Sequence, residues 1–238
     1  MILIWRLTTY FVGKRHEAKL FFSLALMIKV MEREEGTVEE ETVITTVNTS
    51  SNKDKTSPDS KGCALEKLNL KLSASVIAQH GYRVSRLCER MGRQLGLREM
   101  ALTELSMAGL FHDLGKIAIS RAILEKAGKL TEEEYREIKR HSEIGSQILS
   151  SVKGMENVAE YVLYHHERWD GKGYPRQLQG REIPLYSRVI GLADAYDAMT
   201  NNRSYRKALS KKAAIQELLW HSGTQFDPEL VGEFIKIL

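Results

Sequence analysis

From Ala64 onward the apolar residues recur at helical spacing, and the stripes they draw carry histidine and aspartate where apolar side chains belong. Val76, His80, Val84, Leu87 and Met91 step by 4, 4, 3 and 4, which marks the inward face of an amphipathic helix closed by Gly96. Leu102, Leu105, Gly109 and His112 form the next stripe, stopped by Gly115. Thr131-Glu132-Glu133-Glu134 reads as a capping box opening a charged helix to about His141, and 143–151 continue or restart as a helix. Val158, Val162 and His165 share one face of another. Pro184 suits the first turn of a helix to about Thr200, Ser210 caps one ending near Gly223, and Asp227-Pro228 caps the last. Gly171, Gly173, Pro175 and Gly180 mark 170–180 as a loop. The sum is an all-α bundle of about seven to nine helices, preceded by an irregular N-terminal region.

With 238 residues, 42% hydrophobic and 28% charged, the chain can bury a core; wholesale disorder and a polytopic membrane protein are excluded. A net charge of +4 falls short of the clustered excess of a DNA binder and suits an anionic small molecule, so no nucleic-acid polymer is expected as partner. Two cysteines, Cys63 and Cys88, write neither a disulfide framework nor a CxxC site, which points to a reducing cytoplasm. Three segments follow. Residues 1–36 are read as helical. Their apolar runs, Ile2–Val12 and Leu20–Val30, are too short for the roughly 18–20 residues of a transmembrane span, and no signal-peptide pattern appears. Packing on the main domain or a partner is the expectation, with a peripheral membrane helix as the alternative. Residues 37–62 are an acidic and then flexible linker rich in Ser, Asn, Lys and Thr, and 63–238 hold the helical domain.

A lone histidine on an apolar face is ordinarily a core residue bonded to a carbonyl. Here His80, His112, His141, His165 and His166 all fall at or near inward faces, with Asp113 and Asp194. Uncompensated buried carboxylates cost several kcal/mol each, so such an interior needs positive charge. Imidazole with carboxylate is a ligand set for Fe, Mn, Co, Ni or Zn, and helical bundles build dinuclear sites from inward side chains. Asp197, one turn from Asp194, is open to two readings, an orienter of a ligand or a surface carboxylate. Periodicity alone does not make these faces converge.

The ordered motifs go further. Phe111-His112-Asp113-Leu114-Gly115-Lys116 resembles the HD phosphohydrolase superfamily, and the run His165-His166-Glu167-Arg168-Trp169-Asp170-Gly171-Lys172-Gly173-Tyr174-Pro175 resembles its HD-GYP subfamily. His80-Gly81, Arg140-His141, Ala193-Asp194, Asn202-Arg203-Ser204-Tyr205-Arg206 and Gly223–Pro228 occur in the same order. The resemblance spans about Ala64 to Leu238 and implies an HD-superfamily bundle. It implies that His80, His112, Asp113 and Asp194 hold one metal, and that Asp113 bridges to a second completed by His141, His165 and His166. By the same resemblance Lys116 contacts the scissile phosphate and shares catalysis with Asp113. Gly173, Tyr174 and Pro175 shape the substrate cleft, and Arg203 and Arg206 hold substrate phosphate. Gly171 and Gly173 would supply positive φ and close approach to ligand, with Tyr174 stacking on or bonding the nucleotide. Val76 stands where some members carry a glutamate ligand, so two divalent ions are expected rather than three, Fe or Mn first, with Ni, Co or Zn as alternatives. Gly81, Ser142, Asn202 and Ser204 also depart from the common pattern.

The function implied is hydrolysis of cyclic di-GMP to pGpG, and onward to GMP, by a metal-activated hydroxide. Signalling proteins docking through the Gly-Tyr-Pro loop or the N-terminal segment are implied partners. The rival readings are an HD phosphohydrolase with another nucleotide substrate and a non-catalytic cyclic-dinucleotide-binding module.

Overall fold

Each stripe of apolar residues becomes a helix burying that stripe. A computed structural model describes residues 78–202 and 207–238. In chain order it contains α1 (78–94), α2 (Glu99–Phe111), a 3-10 turn (Leu114–Ala118), α3 (Arg121–Leu124) and α4 (Glu132–Lys139). Then follow α5 (His141–Ser150), α6 (Glu156–Leu163), a second 3-10 turn (Gly180–Glu182), α7 (Leu185–Thr200), α8 (Lys211–Trp220) and α9 (Pro228–Ile237). Among the described residues there is no strand, and only the isolated bridges Asp170–Gln179 and Ser222–Phe226 interrupt the all-α pattern. No described helix is long and apolar enough to cross a membrane. The segments 1–36 and 37–62, Val76, Arg203, Ser204 and Arg206 lie outside the described residues.

The core joins one fully buried side chain from each main helix: Met91, Leu105, Val162, Ile190, Leu218 and Phe234. α7 runs centrally, packing on α2, α6, α8 and α9, while α5 lies against α6 and the first 3-10 turn. In α1 the buried stripe is Val84, Cys88 and Met91; Leu87, expected inside, is half-buried because Cys88 occupies the interior position.

The caps are local. The Thr131 hydroxyl accepts from Glu134 N while the Glu134 carboxylate accepts from Thr131 N, completing the capping box. The Ser210 hydroxyl accepts from Ala213 N. Pro184 stands just before α7 rather than in its first turn. α4 stops at Lys139 and the chain restarts at His141. Gly115 does not end the structure after α2 but sits within a 3-10 turn.

Asp227 joins two roles. Its carboxylate accepts from Glu229 N at 2.9 Å, capping α9, and from Arg188 Nη1 at 2.5 Å. The Arg188 Nε also donates to Ile183 O at 2.9 Å. Asp227 is 4% exposed. Asp227→Ala therefore strands a largely buried guanidinium and removes a cap, an expected loss of about 3 kcal/mol. For a chain this size that is roughly 10 °C in melting temperature, read by differential scanning fluorimetry.

Candidate metal centre

Three imidazoles stand at helix ends. His112 directly follows α2, and His141 and His165 each stand two residues past the last residue of α4 and α6, His141 also being the first residue of α5. In each, Nδ1 lies at hydrogen-bonding distance from the carbonyl three residues back: Gly109 O at 2.8 Å, Ile138 O at 2.7 Å and Val162 O at 2.6 Å. A carbonyl only accepts, so each Nδ1 carries the proton and each Nε2 is left as a lone pair. The ordinary fate of a core histidine accounts for one nitrogen per ring and not for the other.

Those other nitrogens converge. His141 Nε2 is 3.4 Å from His165 Nε2 and 3.2 Å from His166 Nε2. His112 Nε2 is buried without a hydrogen-bond partner, and His80 Nε2 faces Asp194 Oδ1 at 3.0 Å. Two donor groups result, one of Asp113, His141, His165 and His166, the other of His80, His112 and Asp194, each with its ligand-type atoms within 4.8 Å of one another. Asp113 faces both. Its Oδ1 is 3.5 Å from His141 Nε2, and its Oδ2 is 3.6 Å from His112 Nε2 and 3.7 Å from His80 Nε2. Lone pairs facing lone pairs across a buried space repel, and a cation removes the conflict, so the residues fit divalent metal.

The electrostatics agree. Burial pushes His112 and His141 below the usual imidazole pKa, and His165 well below it with His166, His112 and His141 adding to the effect. Burial and then His141 bring His166 down to about 3. These four rings are neutral, the form in which histidine ligates. Burial also opposes charge on Asp113, but Lys116 and the surrounding histidines hold it well below the carboxylate range. His80 is the exception. Burial opposes its charge, yet Asp194 Oδ1 at 3.0 Å and Asp197 Oδ2 at 2.7 Å raise it to about 9.

Asp197 faces inward. It accepts from His80 Nδ1, from Arg83 Nε at 2.7 Å and Nη2 at 3.0 Å, and from Asn201 Nδ2 at 2.9 Å. Of its two readings the structure selects the orienter of His80. Lys116 Nζ lies 2.6 Å from Asp113 Oδ2 and is partly exposed. His221, left as an ordinary histidine on sequence, sits away from the cluster beside Glu217.

Tyr174 stacks on His166, with ring centres 4.8 Å apart at 29°. Its loop is held by a residue that periodicity did not single out. Buried Glu167 accepts from Arg176 N at 2.6 Å and from Leu178 N at 3.1 Å. The available signal was a glutamate following two inward histidines and preceding a glycine-rich turn full of unpaired N–H groups. On the other side, Asp170 N donates to Thr224 O and Arg168 Nη1 to Gln225 Oε1, tying the loop to the turn before α9. Gly171 adopts φ 73° as expected. Gly173 does not take a positive φ. A Cβ there would lie 2.4 Å from Arg168 N and 2.6 Å from His166 O, so the missing side chain makes room for its own chain, while Gly173 also lines the cavity beside the cluster. A cavity of about 370 Å³ opens beside the cluster, lined by His166, Tyr174, Asp194, Tyr135 and Arg188 among others. Glu167→Ala should speed amide exchange at Arg176 and Leu178 by about tenfold or more, since hydrogen bonds to a charged acceptor contribute about 1.5–3 kcal/mol. Hydrogen exchange with mass spectrometry reads this, and unchanged protection would remove Glu167 from the role.

A family profile for the HD domain matches residues 65–230. The chain belongs to the HD domain family. Within it, this HD domain is 41% identical over 161 residues to a cyclic di-GMP phosphodiesterase of Thermotoga maritima, covering 67% of this chain and 44% of that protein. It is 40% identical over 156 residues to the cyclic di-GMP phosphodiesterase response regulator RpfG of Xanthomonas campestris, covering 65% and 41%. It is 39% identical over 154 residues to the 3'3'-cGAMP-specific phosphodiesterase 2 of Vibrio cholerae, covering 64% and 30%. The chain thus spans less than half the length of these relatives. Among solved structures, Bd1817, an HD-GYP-type protein of Bdellovibrio bacteriovorus, superposes with a TM-score of 0.55 at 21% identity, over 70% of this chain and 56% of that one. The likeness extends the all-α HD bundle to the fold level.

Proposed function

We propose that this HD domain is a metal-dependent phosphodiesterase that opens cyclic di-GMP to linear pGpG, with onward cleavage to GMP. The observation that carries the reading is the place of Asp113 between two donor groups, one oxygen toward each. The names of the relatives at about 40% identity support the substrate class.

His80, His112, Asp113 and Asp194 would hold one ion, and Asp113, His141, His165 and His166 a second; Fe or Mn is the first choice, and Ni, Co and Zn suit the same donors. Two such ions supply a water of lowered pKa and positive charge for the phosphoryl oxygens. The chain does the rest. Carbonyls behind His112, His141 and His165 fix the tautomer that turns Nε2 inward. Asp197 does the same for His80. Lys116 offers an ammonium at the edge of the centre, placed to offset charge that grows on a phosphate oxygen. Arg203 and Arg206, by their motif, would bind substrate phosphate. Tyr174, whose phenol is held neutral by burial, closes one side of the cleft.

The test is hydrolysis of cyclic di-GMP by the purified chain with Mn²⁺ or Fe²⁺, alongside metal analysis, with 3'3'-cGAMP and cyclic di-AMP as competitors. The expected result is pGpG formed only with metal. Product formed in excess chelator, or binding without cleavage in either metal, overturns the hydrolytic reading. A faster turnover of 3'3'-cGAMP would move the substrate assignment to the mixed nucleotide.

A further inference from the structure

α4 buries none of its residues, yet it brings an aromatic side chain to the cleft. Tyr135 is 50% exposed and lines the cavity together with Tyr174. Lys139 lies one turn further along the same helix. Its ammonium is 4.7 Å from the centre of the Tyr135 ring and 5.8 Å from that of Tyr174. Tyr174 in turn stacks on His166. A row therefore runs from the metal centre to the rim: imidazole, phenol, ammonium, phenol. Core packing does not explain its outer half, since Tyr135 stays exposed. Ion pairing does not either, since among the described residues no carboxylate pairs with Lys139.

Such a row has the chemistry of a nucleobase subsite. Exposed aromatic rings offer faces on which any base can stack. An ammonium beside them adds a positive point that discriminates between purines. Guanine presents two acceptors, O6 and N7, on one edge, whereas adenine replaces the O6 acceptor by an amino donor. We infer that Tyr135 and Lys139 form an outer purine subsite of the cleft, Tyr135 stacking on the base and Lys139 meeting the O6/N7 edge of guanine. The subsite rests on the cyclic-dinucleotide reading of the centre: with one phosphodiester at the metal cluster, a base of the same ring system extends along the row toward α4.

The test is calorimetric titration of the Mn²⁺-loaded chain with cyclic di-GMP and with cyclic di-AMP, with turnover read in parallel. Tyr135→Ala should weaken binding of cyclic di-GMP about tenfold, and Tyr135→Phe, which keeps the ring, by much less. Lys139→Met should narrow the preference for cyclic di-GMP over cyclic di-AMP about fivefold. Arg136→Ala, on the same helix and paired with Glu133 at the surface, is the control and should match wild type. Equal affinities in wild type, Tyr135→Ala and Lys139→Met overturn the subsite, as does a loss in Arg136→Ala as large as in Tyr135→Ala. A protein that binds but does not cut overturns the hydrolytic reading alone, and the same affinities still decide the subsite. A wild-type chain that binds neither nucleotide overturns both.

Discussion

Asp113→Asn is expected to lower cyclic di-GMP hydrolysis by about 10³-fold or more, with metal content falling below that of wild type. Removing an outer partner of a metal ligand alone costs about 10- to 100-fold in metal affinity or activity, and Asp113 is placed closer in than any such partner. An amide has one oxygen and no charge. Whichever way it turns, its NH₂ group faces either His141 or the His80–His112 pair, which now meet a donor where they met a carboxylate. The buried histidines keep their carbonyl partners, so the fold should hold and near-ultraviolet circular dichroism should match wild type. Turnover at saturating Mn²⁺ and plasma emission analysis of bound metal give the answer. More than a tenth of wild-type turnover with full metal content would falsify the bridging role.

Gly115→Ala should act through packing. A Cβ at 115 would lie 1.9 Å from His141 O and 2.7 Å from Gly145 N. Both are backbone atoms, and neither can swing aside as a side-chain tip can. The 3-10 turn and α5 would have to separate, and α5 begins with His141. The expected loss is about 4 kcal/mol, above the roughly 1–3 kcal/mol of ordinary overpacking. It corresponds to a melting temperature lower by about 12 °C. Metal stoichiometry should fall with it. An unchanged melting temperature would mean that the crossing accepts a methyl group.

Helices and their starts were legible because both are written locally. The capping box at Thr131 and the caps at Ser210 and Asp227 each depend on a side chain and an amide a few residues apart. The stripe of α1 was legible to within one position; apolar size favoured Leu87 over the small Cys88, whose burial is set by neighbouring helices. The cluster was half legible. Spacing turned five histidines inward, but only tertiary packing brings His80 within reach of Asp194, and the motif resemblance supplied that step. Glu167 was beyond periodicity because its partners are loop amides nine and eleven residues on. The positive φ expected of Gly173 is absent because a glycine in a loop can equally mark close approach to its own chain.

The seating of three imidazoles at the ends of α2, α4 and α6 has an electrical consequence. A helix carries roughly half a negative elementary charge at its C-terminus, arising from carbonyls left without amide partners in the last turn. Gly109, Ile138 and Val162, which receive the imidazole Nδ1–H groups, belong to those last turns. His112 and His165 thus couple their rings to the negative pole of the helix behind them, making Nε2 a stronger base toward a cation, whereas His141 also opens α5 and meets that helix's positive pole. Attraction for metal is in this way distributed through the ends of α2 and α6 as well as two carboxylates. Substitutions along the outer faces of these helices can then accumulate without weakening it, provided the last turn of each still forms.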